Sequence, residues 1–112
     1  MTVAIKSTSA RKSLPNMFDC VGGSALTGMV VRYLHQLAIV DPQYFMTAKE
    51  LMEGLNLREV ELELAVLEIQ ARHPRLLIEQ CMDDRFLYRL DLAVFDAIVK
   101  VLMASLNEEK YQ

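Results

Sequence analysis

The 112 residues include only two cysteines, four glycines and three prolines, and no apolar run is long enough to cross a bilayer. The most apolar stretch, Leu92 to Leu106, is interrupted by Asp96 and Lys100. Cys20 and Cys81 are far apart in sequence and have no CxxC companion, so neither a disulfide framework nor a redox motif is indicated. With no N-terminal apolar segment ahead of a small-residue cleavage site, a cytoplasmic location is expected. Positive charge is not in excess: twelve basic residues against fifteen acidic ones leave a net charge of -3. That argues against coating nucleic acid by bulk electrostatics, while sequence-specific DNA binding stays open.

The chemistry of catalysis is also sparse. His35 and His73 have no Cys, His, Asp or Glu at metal-ligand spacing, and both read as structural or surface residues. Cys81 is expected to be buried. The segment Val21-Gly22-Gly23-Ser24 precedes a helix N-terminus, where a phosphate can dock, but it lacks the lysine and the glycine spacing of a nucleotide loop. Nothing points to a cofactor or a metal, and the chain is expected to be non-enzymatic.

What is present is a hydrophobic fraction of 53% with 24% charged residues, the balance of one ordinary globular domain. Residues 1–23 show no helical or alternating period and carry Lys6, Arg11 and Lys12 against Asp19, so they read as a flexible basic arm. Residues 24–107 hold eight basic and twelve acidic side chains and read as the folded domain, with 108–112 as a tail. Ser24 caps a first helix whose stripe is Leu26, Met29, Val30, Tyr33, Leu34 and Leu37, and Asp41-Pro42 ends it. A very short strand over Tyr44-Phe45-Met46 is expected next. Thr47-Ala48-Lys49-Glu50 has the form of a capping box for a second helix, with Met46 and Leu51 as its staple. Gly54-Leu55-Asn56 is a turn, in which Asn56 tolerates a left-handed backbone. A third helix runs from about Arg58 to Arg72 and stops at His73-Pro74. Leu76 to Cys81 and Arg85 to Leu90 read as a hairpin turning at Met82-Asp83-Asp84, with Glu79 pairing with Arg85 or Arg89. Asp91 caps a last helix to about Leu106.

This order, with Thr47 to Leu51, Leu55-Asn56-Leu57 and the set Leu62, Ala65, Val66 and Ile69, resembles the winged helix-turn-helix superfamily over roughly residues 24–91. The resemblance implies a mainly α fold with a small β-hairpin, to which a C-terminal helix is added. It also implies that Leu62, Val66 and Ile69 face the core, and that DNA-binding members would insert the opposite face of the third helix into a major groove.

That opposite face carries Val60, Leu64, Leu67 and Ala71, flanked by Glu59, Glu61, Glu63 and Glu68. Groove reading needs donors such as Arg, Asn or Gln and suffers from carboxylates beside phosphates. Two readings follow. Either a small rotation places the second stripe in the core, or both stripes are buried and the outer one is covered by the arm, the last helix or another subunit. Positive charge collects at Arg72, His73 and Arg75, at Arg58, and in the arm at Lys6, Arg11 and Lys12; these are the candidate phosphate contacts.

The last helix is apolar almost all round, so Phe95, Val99, Leu102 and Leu106 join Val60, Leu64 and Leu67 as candidate interface residues of a homodimer. Two functions are carried forward. One is a homodimeric DNA-binding regulator of transcription. The other is a protein-protein interaction module that uses the apolar, acidic face of the third helix and binds no DNA.

Overall fold

A computed structural model describes Phe18 and residues 21–110, with the backbone alone for 106–110. Helix α1 spans Ala25–Val40, strand β1 Met46–Thr47, helix α2 Ala48–Leu55 and helix α3 Glu59–Arg72. Strands β2 (Leu77–Met82) and β3 (Arg85–Leu90) follow, then helix α4, Leu92–Lys110. The fold is mainly helical with one small antiparallel sheet of order β1-β3-β2.

Local chemistry sets the boundaries. The Ser24 hydroxyl accepts the Thr27 N–H, while Asp41 leaves the helical region ahead of Pro42. At α2 the capping box is complete: the Glu50 N–H donates to Thr47 Oγ1 at 3.1 Å, and the Thr47 N–H donates to Glu50 Oε1 at 2.9 Å. Asn56 takes φ 55°, ψ 50°, a left-handed cap that turns the chain directly into α3. Asp91 accepts the Val94 N–H at the start of α4.

The strands differ from the sequence expectation at their ends. β1 lies at Met46–Thr47, two residues beyond Tyr44, because those two residues are the ones that pair with Tyr88 and Leu87 of β3. β2 ends at Met82, which pairs with Arg85, so the hairpin turns on Asp83 and Asp84 alone. Both adopt positive φ, as a two-residue hairpin turn requires.

The core lies between α1, α3, the inner ends of the strands and the first turns of α4. Leu34, Leu51, Ile69, Leu76 and Phe95 are its largest fully buried side chains. It begins earlier in the chain than Ser24. Val21 is buried within it and Phe18 packs against it, so the expected arm of 1–23 is joined to the domain at its C-terminal end. Residues 1–17, including Lys6, Arg11 and Lys12, and Cys20 lie outside the described residues.

Candidate functional site

Helix α3 is fixed by one face and presents the other. Leu62, Ala65, Val66 and Ile69 are buried, which locks α3 against α1 and α2. On the opposite face Val60, Leu64 and Leu67 are 51%, 59% and 62% exposed, and Ala71 is exposed with them. A small rotation therefore does not carry the second stripe into the core, and no other described element covers it. On a helical wheel Glu59, Glu63 and Gln70 line one side of this stripe, and Glu61 and Glu68 line the other.

Beside α3, the start of α2 and the hairpin-turn end of β3 border a cleft of about 420 Å³, lined by Lys49, Met52, Glu59, Glu63, Arg85 and Phe86 among others. Its floor includes the buried Tyr88, whose phenol is pushed up to about 12 by burial and by Glu79, with Glu63 adding to the effect. The expected pairing of Glu79 with Arg85 or Arg89 does not form. The register sets Tyr88 opposite Glu79, and Ile78 opposite Arg89. Arg89 instead lies 4.6 Å over the Phe45 ring and donates to the Pro42 carbonyl at 3.1 Å.

Among the described residues the candidate phosphate contacts do not converge. Arg58 caps α3: its backbone N–H donates to Glu61 Oε1 at 2.8 Å, and its side chain pairs with the same carboxylate at 3.4 Å. These bonds, the backbone one foremost, hold the Glu61 carboxyl below its ordinary range. Arg72 stands at the other end of the 14-residue helix, roughly 20 Å away at 1.5 Å per residue. There it adjoins His73 and Arg75 around a shallow depression floored by Val94 and Ile98. Neither Arg58 nor Arg72 belongs to the exposed apolar stripe.

The glycine-rich segment before α1 holds an internal anion. Gly22 and Gly23 take positive φ, and the chain is fastened there by the His73 ring, whose Nε2 donates to the Val21 carbonyl at 3.1 Å. Glu68 of α3 then reaches the N-terminus of α1: its Oε1 accepts from the Ser24 N–H at 2.9 Å, from the Ser24 hydroxyl at 3.1 Å and from the buried Thr27 hydroxyl. The bond from the Ser24 N–H does most to lower the Glu68 pKa. A carboxylate thus stands where a docked phosphate would sit. Sequence reasoning missed this role, since nothing local links two residues 44 positions apart.

The last helix divides the remaining interface candidates. Phe95 is 1% exposed and belongs to the core, with its ring 4.7 Å from that of His35 and 5.6 Å from that of Phe18. This corrects its assignment to an interface: the early turns of α4 close the domain, and Phe95 is the ring they bury. Val99 is half-buried against the same core, and Leu102 is half-buried beside His73. Val101 and Met103 are exposed. Leu106 lies in α4 with its side chain outside the described residues. Cys81 is exposed, contrary to the burial expected, because β2 is an edge strand whose outer half extends past the core.

Among the described residues no group of three or more His, Cys, Asp or Glu is placed to hold a metal, and no helix is long and apolar enough to cross a membrane. The chain matches no protein-family model, and comparison with curated proteins and with solved structures returns no match.

Proposed function

We propose that this chain is a non-enzymatic winged helix-turn-helix module that binds another protein through the outward face of α3. The winged assignment is supported by the α2–turn–α3 unit with its left-handed Asn56 and by the three-stranded sheet ending in the β2–β3 hairpin. The observation that carries the functional reading is the exposure of Val60, Leu64 and Leu67 in one row, bordered by glutamates. In water such a row is unfavourable, and beside phosphates its borders repel. Against a protein surface it buries apolar area and keeps its charges at the rim.

The second reading is a homodimeric DNA-binding regulator paired through α4. It is favoured by the helix-turn-helix geometry and by Arg72, His73 and Arg75 standing together. One paired experiment separates the two. Co-purification from extract is compared for the Leu64→Asp/Leu67→Asp and Arg72→Ala/Arg75→Ala variants, alongside a gel shift on random duplex DNA across a salt series. Protein docking predicts a co-purifying partner lost only with the leucine pair and no salt-dependent shift. A shift at low salt that weakens as salt rises and is lost with the arginine pair would establish the DNA reading instead.

A further inference from the structure

The exposed face of α3 has a regular spacing and a one-sided charge. Val60, Leu64, Leu67 and Ala71 are separated by four, three and four residues, which is the a/d spacing of a coiled-coil seam. All four are exposed. The positions flanking such a seam are Glu61 and Glu68 on one side and Glu63 and Gln70 on the other, and neither flank carries a cation. Glu61 is bonded to Arg58 and Glu68 to Ser24 and Thr27, so Glu63 is the flanking carboxylate left facing outward. Arg72 falls outside the flanks, and Arg58 is the cap preceding the helix, tied to Glu61. The adjoining cleft holds the cations Lys49 and Arg85, which its carboxylates Glu59, Glu63 and Asp84 outnumber.

A second copy is a poor fit for this face. In a parallel pair the flank of one helix meets the opposite flank of the other, and in an antiparallel pair each flank meets its own kind. Neither arrangement brings a cation to Glu63. Resting on the protein-docking reading, we propose that the α3 face selects an amphipathic helix of a different protein, with apolar residues at the same four-three-four spacing and Lys or Arg on the flank that faces Glu63. At 14 residues, α3 offers about four seam positions over roughly 20 Å, so the pairing is short and its charges weigh heavily in partner choice.

The test uses the full chain and two synthetic 21-residue helical peptides, both with Leu at every a and d position. One carries Lys at e and g, the other Glu. Binding is followed by calorimetry at low and at physiological salt, and the mass of the free chain by light scattering. The expected result is that the Lys peptide binds about threefold more tightly than the Glu peptide at low salt, with the preference shrinking at physiological salt. Leu64→Asp with Leu67→Asp abolishes that binding. Glu63→Lys with Gln70→Lys removes the preference.

Equal affinity for the two peptides, or binding insensitive to the leucine pair, would overturn the assignment of a basic helix. So would a dimer of the free chain that the leucine pair dissociates, which would make a second copy the occupant. If Lys peptide binding arises only after Lys6→Glu, Arg11→Glu and Lys12→Glu, the chain's own arm is the occupant and the proposal again fails. Failure of both peptides, with co-purification of a partner still sensitive to Leu64 and Leu67, overturns the basic-helix chemistry and leaves the docking face standing. Loss of that sensitivity as well removes both.

Discussion

Glu68 of α3 is the N-terminal anchor of α1 through Ser24, which donates to its Oε1 from both the backbone N–H, at 2.9 Å, and the side-chain hydroxyl, at 3.1 Å. A carboxylate placed there satisfies donors that a helix start leaves open and complements the helix dipole. It also ties α3 to α1, so the presentation of Val60, Leu64 and Leu67 depends on a residue on the same helix whose carboxylate points the other way.

The anchor makes stability depend on acid. Glu68, Glu61 and Glu50 each have a pKa below the ordinary 4.5, the largest cause in each case being a backbone N–H donated to the carboxylate. Groups depressed in the folded state contribute stability above their unfolded pKa and lose it as pH falls through the folded value. The urea midpoint is therefore expected to be level from pH 7 to about 5 and to decline below about 4.5. Glu68→Gln should lower the midpoint at pH 7 and flatten the acid decline. An unchanged acid slope would remove Glu68 from the account. Thr27→Val, which deletes a buried donor to the same carboxylate, should cost about 1 kcal/mol at neutral pH.

Gly54 provides a test of packing against propensity. A Cβ at this position in α2 would lie 2.7 Å from Cζ of Tyr33. In an open helix Gly→Ala gains nearly 1 kcal/mol, whereas forcing a methyl into a filled site costs about 1–3 kcal/mol. Gly54→Ala is expected to lower the thermal midpoint, and Tyr33→Ala in the same chain to convert that loss into a gain. A stabilised Gly54→Ala single variant would show that Tyr33 yields without penalty.

Phe95 reports whether α4 belongs to the domain. Its ring closes the core between Phe18 and His35, so Phe95→Ala should destabilise by about 3–5 kcal/mol in chemical denaturation. Val101→Ala, on the exposed side of the same helix, should change stability by less than about 0.5 kcal/mol. Comparable losses from the two would show that the outer side of α4 is also covered.

The β2–β3 turn holds both Asp83 and Asp84 at positive φ, a conformation that glycine adopts without penalty. Asp84→Gly is expected to stabilise by a few tenths to about 1 kcal/mol, read as a higher thermal midpoint. A lower midpoint would mean that the Asp84 carboxylate itself holds the turn.

Signals confined to a few neighbouring residues were legible in the sequence. The Thr47–Glu50 box, the Asp41-Pro42 stop, the left-handed Asn56 and the two faces of α3 follow from bonds and periods within a turn or two of helix. Features that depend on distant partners were not. Phe18 and Val21 are isolated apolar residues in a segment without a period, and only the folded chain brings them beside Phe95 and His73. Glu68 reads as one more surface glutamate until α1 is placed next to it. Cys81 and Glu79 were misjudged because hairpin register depends on the two-residue turn, and because burial fades along an edge strand. The apolar row of α3 was visible from spacing alone, whereas its exposure depended on where every other element packed.

The most direct measurement of the central claim is the amide spectrum of the isotopically labelled full chain at physiological salt, recorded first with random duplex DNA and then with the Lys-flanked peptide. The account predicts that the peptide shifts the amides of Val60, Glu63, Leu64, Leu67 and Ala71 while DNA leaves them in place. Displacement of those same amides by DNA, with the peptide inert, would contradict it.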